Sequence, residues 1–101
     1  MSERYVIYRE DEPNLAFEGE IVASDRSIQE GGIWQGLTLY KTRAGKFVCS
    51  KINHTCWEGQ SDDHYSDICR GIPAVVRFFG YSDLAKGLYA LADIKSVEIV
   101  E

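Results

Sequence analysis

The chain has 101 residues, of which 45% are hydrophobic, 27% charged and 12% aromatic, with a formal net charge of −5. This fits one domain, residues 1–101, with its own core, and excludes a chain too polar to fold. An acidic chain without clustered Lys and Arg is not built for general phosphate-backbone binding, and no stretch approaches the ~18 apolar residues of a membrane span.

"RYVIYRE" (4–10) is rich in β-branched and aromatic residues and precedes the turn signal "DEPN". "LAFEGEIVAS" (15–24) then alternates, with Phe17, Gly19, Ile21 and Ala23 on one face. Pairing these runs about residues 11–14 sets Tyr8 opposite Phe17 and Val6 opposite Gly19. "DRSIQEGG" (25–32) is polar, carries a glycine pair and reads as a loop. "IWQGLTLYKTR" (33–43) and "KFVCSKINH" (46–54) flank "AG" as a hairpin. A two-residue turn at Ala44–Gly45 pairs Tyr40 with Cys49, Leu39 with Ser50 and Leu37 with Ile52. Leu37, Leu39, Val48 and Ile52 then share one face, and Tyr40, Phe47 and Cys49 the other. A slip of one residue would exchange those faces.

Beyond "WEGQ" the period changes. In "SDDHYSDICR" (61–70) Ser61 stands as an N-cap, followed by two Asp where a helix dipole favours negative charge, so a helix is predicted. Pro73 suits the first turn of a second helix, "PAVVRFF", stopped by Gly80. Ser82 caps a third, "DLAKGLYALA", with Leu84, Leu88 and Leu91 as its core stripe. "KSVEIVE" (95–101) reads as a last strand. The expected fold is α+β: an antiparallel sheet of about five strands, in the order β-β-β-β-α-α-α-β, with short helices over one face.

Charge is unevenly placed. Residues 1–31 hold eight acids against three bases, whereas residues 32–57 hold Lys41, Arg43, Lys46 and Lys51 and no acid. Such bipolarity suits docking of a charged partner. The acidic candidates are Glu10, Asp11, Glu12, Glu18, Glu20, Asp62, Asp63 and Asp67. The basic and aromatic candidates are Trp34, Tyr40, Lys41, Arg43, Lys46 and Trp57, of the types that anchor protein interfaces. Stacking of single-stranded nucleic acid on these aromatics is disfavoured by the surrounding acids.

All three cysteines and both histidines fall between Cys49 and Cys69, spaced Cys49-x4-His54-x-Cys56-x7-His64-x4-Cys69. Zinc takes such ligands, but the tight C-x2-C pair of a structural site is missing. Cys56, beside His54 at a strand end, is the best placed nucleophile, with His64 across a loop as its base. Glu18 and Glu20 imitate a paired carboxylate site without a cleft between them. Asp62, Asp63 and Asp67 lack the glycine and closing Glu of a cation loop, and "RAGKF" lacks the glycine spacing of a nucleotide loop.

The opening "MSERYVIYREDEP" has no apolar run of signal-peptide type, so a cytoplasmic protein with free thiols is expected. The leading expectation is a non-enzymatic, cofactor-free interaction protein. It would regulate or inhibit a protein partner by occluding it with an acidic surface. Nucleic-acid-handling or host-defence machinery is the partner suggested by analogy with small acidic proteins of phages and mobile elements. The alternative is a small zinc-binding or cysteine-dependent enzyme built on Cys49, His54, Cys56, His64 and Cys69. A homodimer formed through a strand edge is a third possibility.

Overall fold

Alternation of apolar and polar residues dominates the first two-thirds of the chain, and it builds one sheet. The computed structural model describes residues 3–94. Five strands, β1 (Glu3–Ile7), β2 (Leu15–Arg26), β3 (Ile33–Thr42), β4 (Phe47–Thr55) and β5 (Asp63–Cys69), pair antiparallel in chain order. Two helices follow, α1 (Ile72–Phe79) and α2 (Asp83–Leu91). The α+β class and the antiparallel sheet therefore hold, with the order β-β-β-β-β-α-α over the described residues. The strand predicted for 95–101 lies outside them.

The main departure is 61–70, expected as a helix and found as strand β5. Residues 63–69 carry a period of two as well as a helical one. His64, Ser66 and Ile68 line up with Ile52, Ser50 and Val48 of β4, while Tyr65 and Cys69 fall opposite Lys51 and Phe47. Without β5, β4 would present an open row of N–H and C=O groups, and pairing satisfies them. Asp62, which resembled a first-turn acid, instead accepts the backbone N–H of Thr55 at 3.0 Å and closes the β4–β5 connection.

The β3–β4 register lies one residue from the predicted one. Leu39 sits opposite Cys49, Leu37 opposite Lys51 and Tyr40 opposite Val48. The turn has three residues rather than two: Thr42 N–H bonds to Lys46 O at 2.7 Å, and Gly45 takes φ 89°. A three-residue loop ending in a left-handed glycine sets this register. Cys49 thus joins Leu37 and Leu39 under the helices, and Val48 turns to the opposite face. In the first hairpin, Tyr5 rather than Tyr8 faces Phe17, because a longer turn spans residues 8–14. Asn14 there accepts from the backbone N–H of Arg9 at 3.0 Å.

A bulge between Ile21 and Ala23 divides β2. Before it, Phe17 and Gly19 face away from the helices; after it, Ala23 sits opposite Leu39 and joins the core. The single face predicted for Phe17 through Ala23 is therefore broken by one inserted residue, which also strengthens the local twist. The sheet curls until the β1–β2 turn reaches β5, where the rings of Tyr8 and His64 meet at 5.1 Å.

Helix α2 packs on β2 and β3, and α1 on β4 and β5. Between them and the sheet lie Leu37, Leu39, Cys49, Val75, Leu88 and Tyr89, all essentially buried. Pro73 begins α1 and Gly80, at φ 75°, ends it. Ser82 caps α2 by accepting the N–H of Ala85 at 3.1 Å, as its position before the helix implies. The Tyr89 hydroxyl donates to Gly80 O at 2.6 Å, so its polar end is satisfied within the core. Burial pushes that phenol up to about 12.

Candidate functional site

The far end of the β3–β4 ladder carries the most organised set of polar and aromatic side chains. Trp34 and His54 are directly opposite each other. Their rings stack at 5.0 Å with 11° between planes. Beyond them Asp62 uses both carboxylate oxygens: one accepts from Thr55 N–H, and the other lies 2.9 Å from His54 Nδ1. The Thr55 hydrogen bond, followed by the one to His54, holds the Asp62 carboxyl below the usual carboxylate range. The indole is thus fixed by a ring that is itself fixed by a carboxylate. Next along the strands, Gln35 Nε2 donates to Asn53 Oδ1 at 2.8 Å.

The segment after β2 completes the wall. Gly32, at φ 80°, brings its backbone so close to the β4–β5 connection that an added Cβ would lie 2.9 Å from both Cys56 Sγ and Trp57 Nε1. Cys56 N–H bonds to Gly32 O at 2.9 Å. Here a groove of about 1020 Å³ opens, with Ile28, Ile33, Trp34 and Leu84 among its apolar residues and Glu30 and Asp63 as its charged ones. Ile28 is 83% exposed and Ile33 57%, although both are fully apolar. A second hollow of about 400 Å³ shares Trp34 and His54 and adds the hydroxyls of Ser24, Thr38 and Ser50.

The predicted acidic residues fall on the β1–β2 turn, on β2, and on and just before β5. Glu10, Asp11 and Glu12 are exposed on the β1–β2 turn, where Glu12 pairs with Arg9 and Glu10 and Glu12 lie beside His64, Tyr65 and Ser66. Glu18 and Glu20 are exposed on β2 next to the basic hairpin, and Glu18 pairs with Arg43 at 3.1 Å. Glu20 stands opposite Lys41. The acidic and basic halves of the sequence thus partly neutralise each other across β2 and β3. Asp63 and Asp67 are exposed on β5, with Asp67 opposite Cys49.

Among the basic and aromatic candidates, Trp34 lines the groove, whereas Trp57 is exposed on the connection behind it. Tyr40 belongs to a separate cluster with Tyr5 and Phe17, with ring centroids 5.0 to 5.6 Å apart, and burial pushes its phenol up. Lys41 reaches over the Phe47 ring at 6.0 Å, and Lys46 is exposed at the hairpin tip.

The five cysteine and histidine side chains are scattered over separate surroundings. Cys49 and Cys69 are buried with sulfurs 3.5 Å apart, and Cys56 is exposed and accepts from Gln29 at 3.7 Å. His54 lies on Trp34, and His64 against Tyr8. Among the described residues, no group of three or more His, Cys, Asp or Glu is arranged to hold a metal ion. No helix among them is long and apolar enough to cross a membrane.

Sequence reasoning missed Ile28, Glu30 and Ile33 as site residues. A signal was present, since Ile28 is an isolated apolar residue within the polar stretch "DRSIQEGG". Compared with protein-family models, curated proteins and solved structures, the chain matches none of them.

Proposed function

We propose that the protein is a non-enzymatic binding protein. Its groove beside Trp34 takes a segment of another protein that combines an apolar side chain with a Lys or Arg. The observation that carries this reading is the groove's composition: exposed Ile28 and Ile33 and the fixed Trp34 supply apolar contact, and the charged lining residues are the carboxylates Glu30 and Asp63. Contiguous exposed apolar surface marks interaction sites, and a carboxylate rim favours cationic segments over anionic ones. A preorganised aromatic is a suitable anchor, because stacking on His54 has already removed its rotational freedom. Occluding the bound segment would make the protein a regulator or inhibitor of its owner.

The test is selection of a displayed peptide library on the immobilised chain, with counter-selection on the Ile33→Asp variant. Enriched peptides should pair Lys or Arg with Leu, Ile, Met or Phe. In titrations they should lose at least about tenfold in affinity to Glu30→Lys, the ~1.4 kcal/mol expected of a well-placed charge contact. Enrichment of acidic peptides, or equal binding to wild type and Ile33→Asp, would overturn the reading.

A further inference from the structure

Cys49 and Cys69 stand on neighbouring strands at diagonal positions: Cys69 lies opposite Phe47, and Cys49 opposite Asp67. Both are buried, and the Cys49 S–H points at the Cys69 sulfur across 3.5 Å. A disulfide needs its sulfurs at about 2.05 Å, so about 1.5 Å remains to be closed by side-chain rotation together with an approach of the two strands. We propose that this pair is a site of reversible oxidation, at which hydrogen peroxide joins β4 to β5 through a Cys49–Cys69 disulfide.

The surroundings assign the two thiols different parts. Cys69 ends β5 and lines an open hollow of about 560 Å³ together with Arg70 and Arg77. Peroxide enters there; burial pushes the Cys69 thiol up, the hydrogen bond from Cys49 opposes this, and the Asp67 carboxylate and Arg77 guanidinium in the same hollow act in opposite directions. The hydrogen bond from Cys49 stabilises charge on the same sulfur. Cys49 has no exposed surface, and burial, followed by its contact with Cys69, keeps its thiol strongly protonated. Burial also raises Cys69, which with only 3% exposure reacts slowly rather than as a fast peroxide sensor.

In the first step the Cys69 thiolate attacks one peroxide oxygen and the O–O bond breaks. Hydroxide leaves, takes up the thiol's former proton as water, and Cys69 becomes a sulfenic acid. In the second step the Cys49 sulfur attacks the Cys69 sulfur. The S–O bond breaks, the departing hydroxide takes the Cys49 proton as a second water, and the S–S bond forms. Two thiols are oxidised by two electrons, and one peroxide is reduced to two waters. Cys56 lies exposed on the β4–β5 connection and takes no part. None of this depends on what occupies the groove.

The test uses Cys56→Ser, which leaves the two buried thiols and alters an exposed position. The folded protein is treated with hydrogen peroxide, its near-ultraviolet circular dichroism is followed, and it is then unfolded in iodoacetamide and digested with pepsin. The expected product has lost two hydrogens, takes up no iodoacetamide, yields a peptide pair joined at Cys49–Cys69, and returns to two thiols in dithiothreitol. The proposal is overturned if both thiols remain alkylatable, if oxygen is added as sulfinic acid without a cross-link, or if the link forms only once the native circular dichroism is lost.

Discussion

Gly19 is the position at which one methyl group should do most damage. A Cβ built there lies 2.2 Å from the carbonyl oxygen of Lys41 and 3.0 Å from the Thr42 Cα, both backbone atoms. Even close carbon–oxygen contacts need roughly 3.3 Å, so β2 and β3 must separate locally by about 1 Å. Overpacking of this kind costs about 1–3 kcal/mol, and weakening one or two ladder hydrogen bonds adds about 1 kcal/mol each. Gly19→Ala should therefore lose about 3 kcal/mol, a large share of the 5–15 kcal/mol typical of a whole domain. At about 4–8 °C per kcal/mol for a domain of this size, Tm falls by about 12–24 °C. Gly36 is the matched control: it is also a strand glycine, but its added Cβ would meet His54 Nε2 at an ordinary 3.5 Å. Gly36→Ala should stay within about 1 kcal/mol of wild type. Urea unfolding followed by far-ultraviolet circular dichroism measures both. If the two variants agree within 1 kcal/mol, the tight approach of β2 to β3 is wrong, and the curl and register that depend on it go too.

Three further outcomes are expected. Tyr89→Phe removes the donor to the half-buried Gly80 O (2.6 Å), so urea unfolding should show a loss of about 1 kcal/mol; no loss would mean that the hydroxyl is not bonded there. Asp62 has a depressed folded pKa, so its stabilisation is present above the unfolded value near 4 and is lost as pH falls through the lower folded value. The stability gap between wild type and Asp62→Asn should therefore be full at neutral pH and close on acidification below about 4, and a gap unchanged with pH would refute the carboxylate's role. With Ellman's reagent, exposed Cys56 should react at once, Cys69 far more slowly and fully buried Cys49 only on unfolding, whereas equal rates for all three would contradict the core described above.

What the sequence made legible followed from strong local chemistry. Pro73, Gly80 and Ser82 mark the helix ends because fixed φ, a left-handed φ and a capping oxygen leave few alternatives. The runs 15–24, 33–43 and 46–54 read as strands because Val, Ile, Thr and aromatics alternate there, and strands β2 to β4 cover them. Long-range competition was not legible. Ser61, Asp62 and Asp63 satisfy the rules for a helix start, yet the unpaired edge of β4 outweighs a short helix whose hydrogen bonds would have to nucleate alone. Register failed for a local reason: "RAGK" accommodates a two- or a three-residue turn, and the difference exchanges the faces of Val48 and Cys49. The β2 bulge has no composition signal, since Ile21, Val22 and Ala23 read as ordinary alternating strand. The groove was missed for the same kind of reason. It is assembled from the ends of four separate segments, and of its lining only Trp34, His54 and Asp63 stood out as candidate site residues, each for a different chemistry.

The division of β2 has a wider consequence. Because one extra residue sits mid-strand, the same ribbon of backbone faces Tyr5 and Tyr40 through its first half and α2 through its second. Deleting Ile21 or Val22 would iron out that crease and force a choice between the two allegiances. A single codon's length in an otherwise unremarkable strand thus separates a sheet that wraps around its own aromatics from a flat one with an open flank.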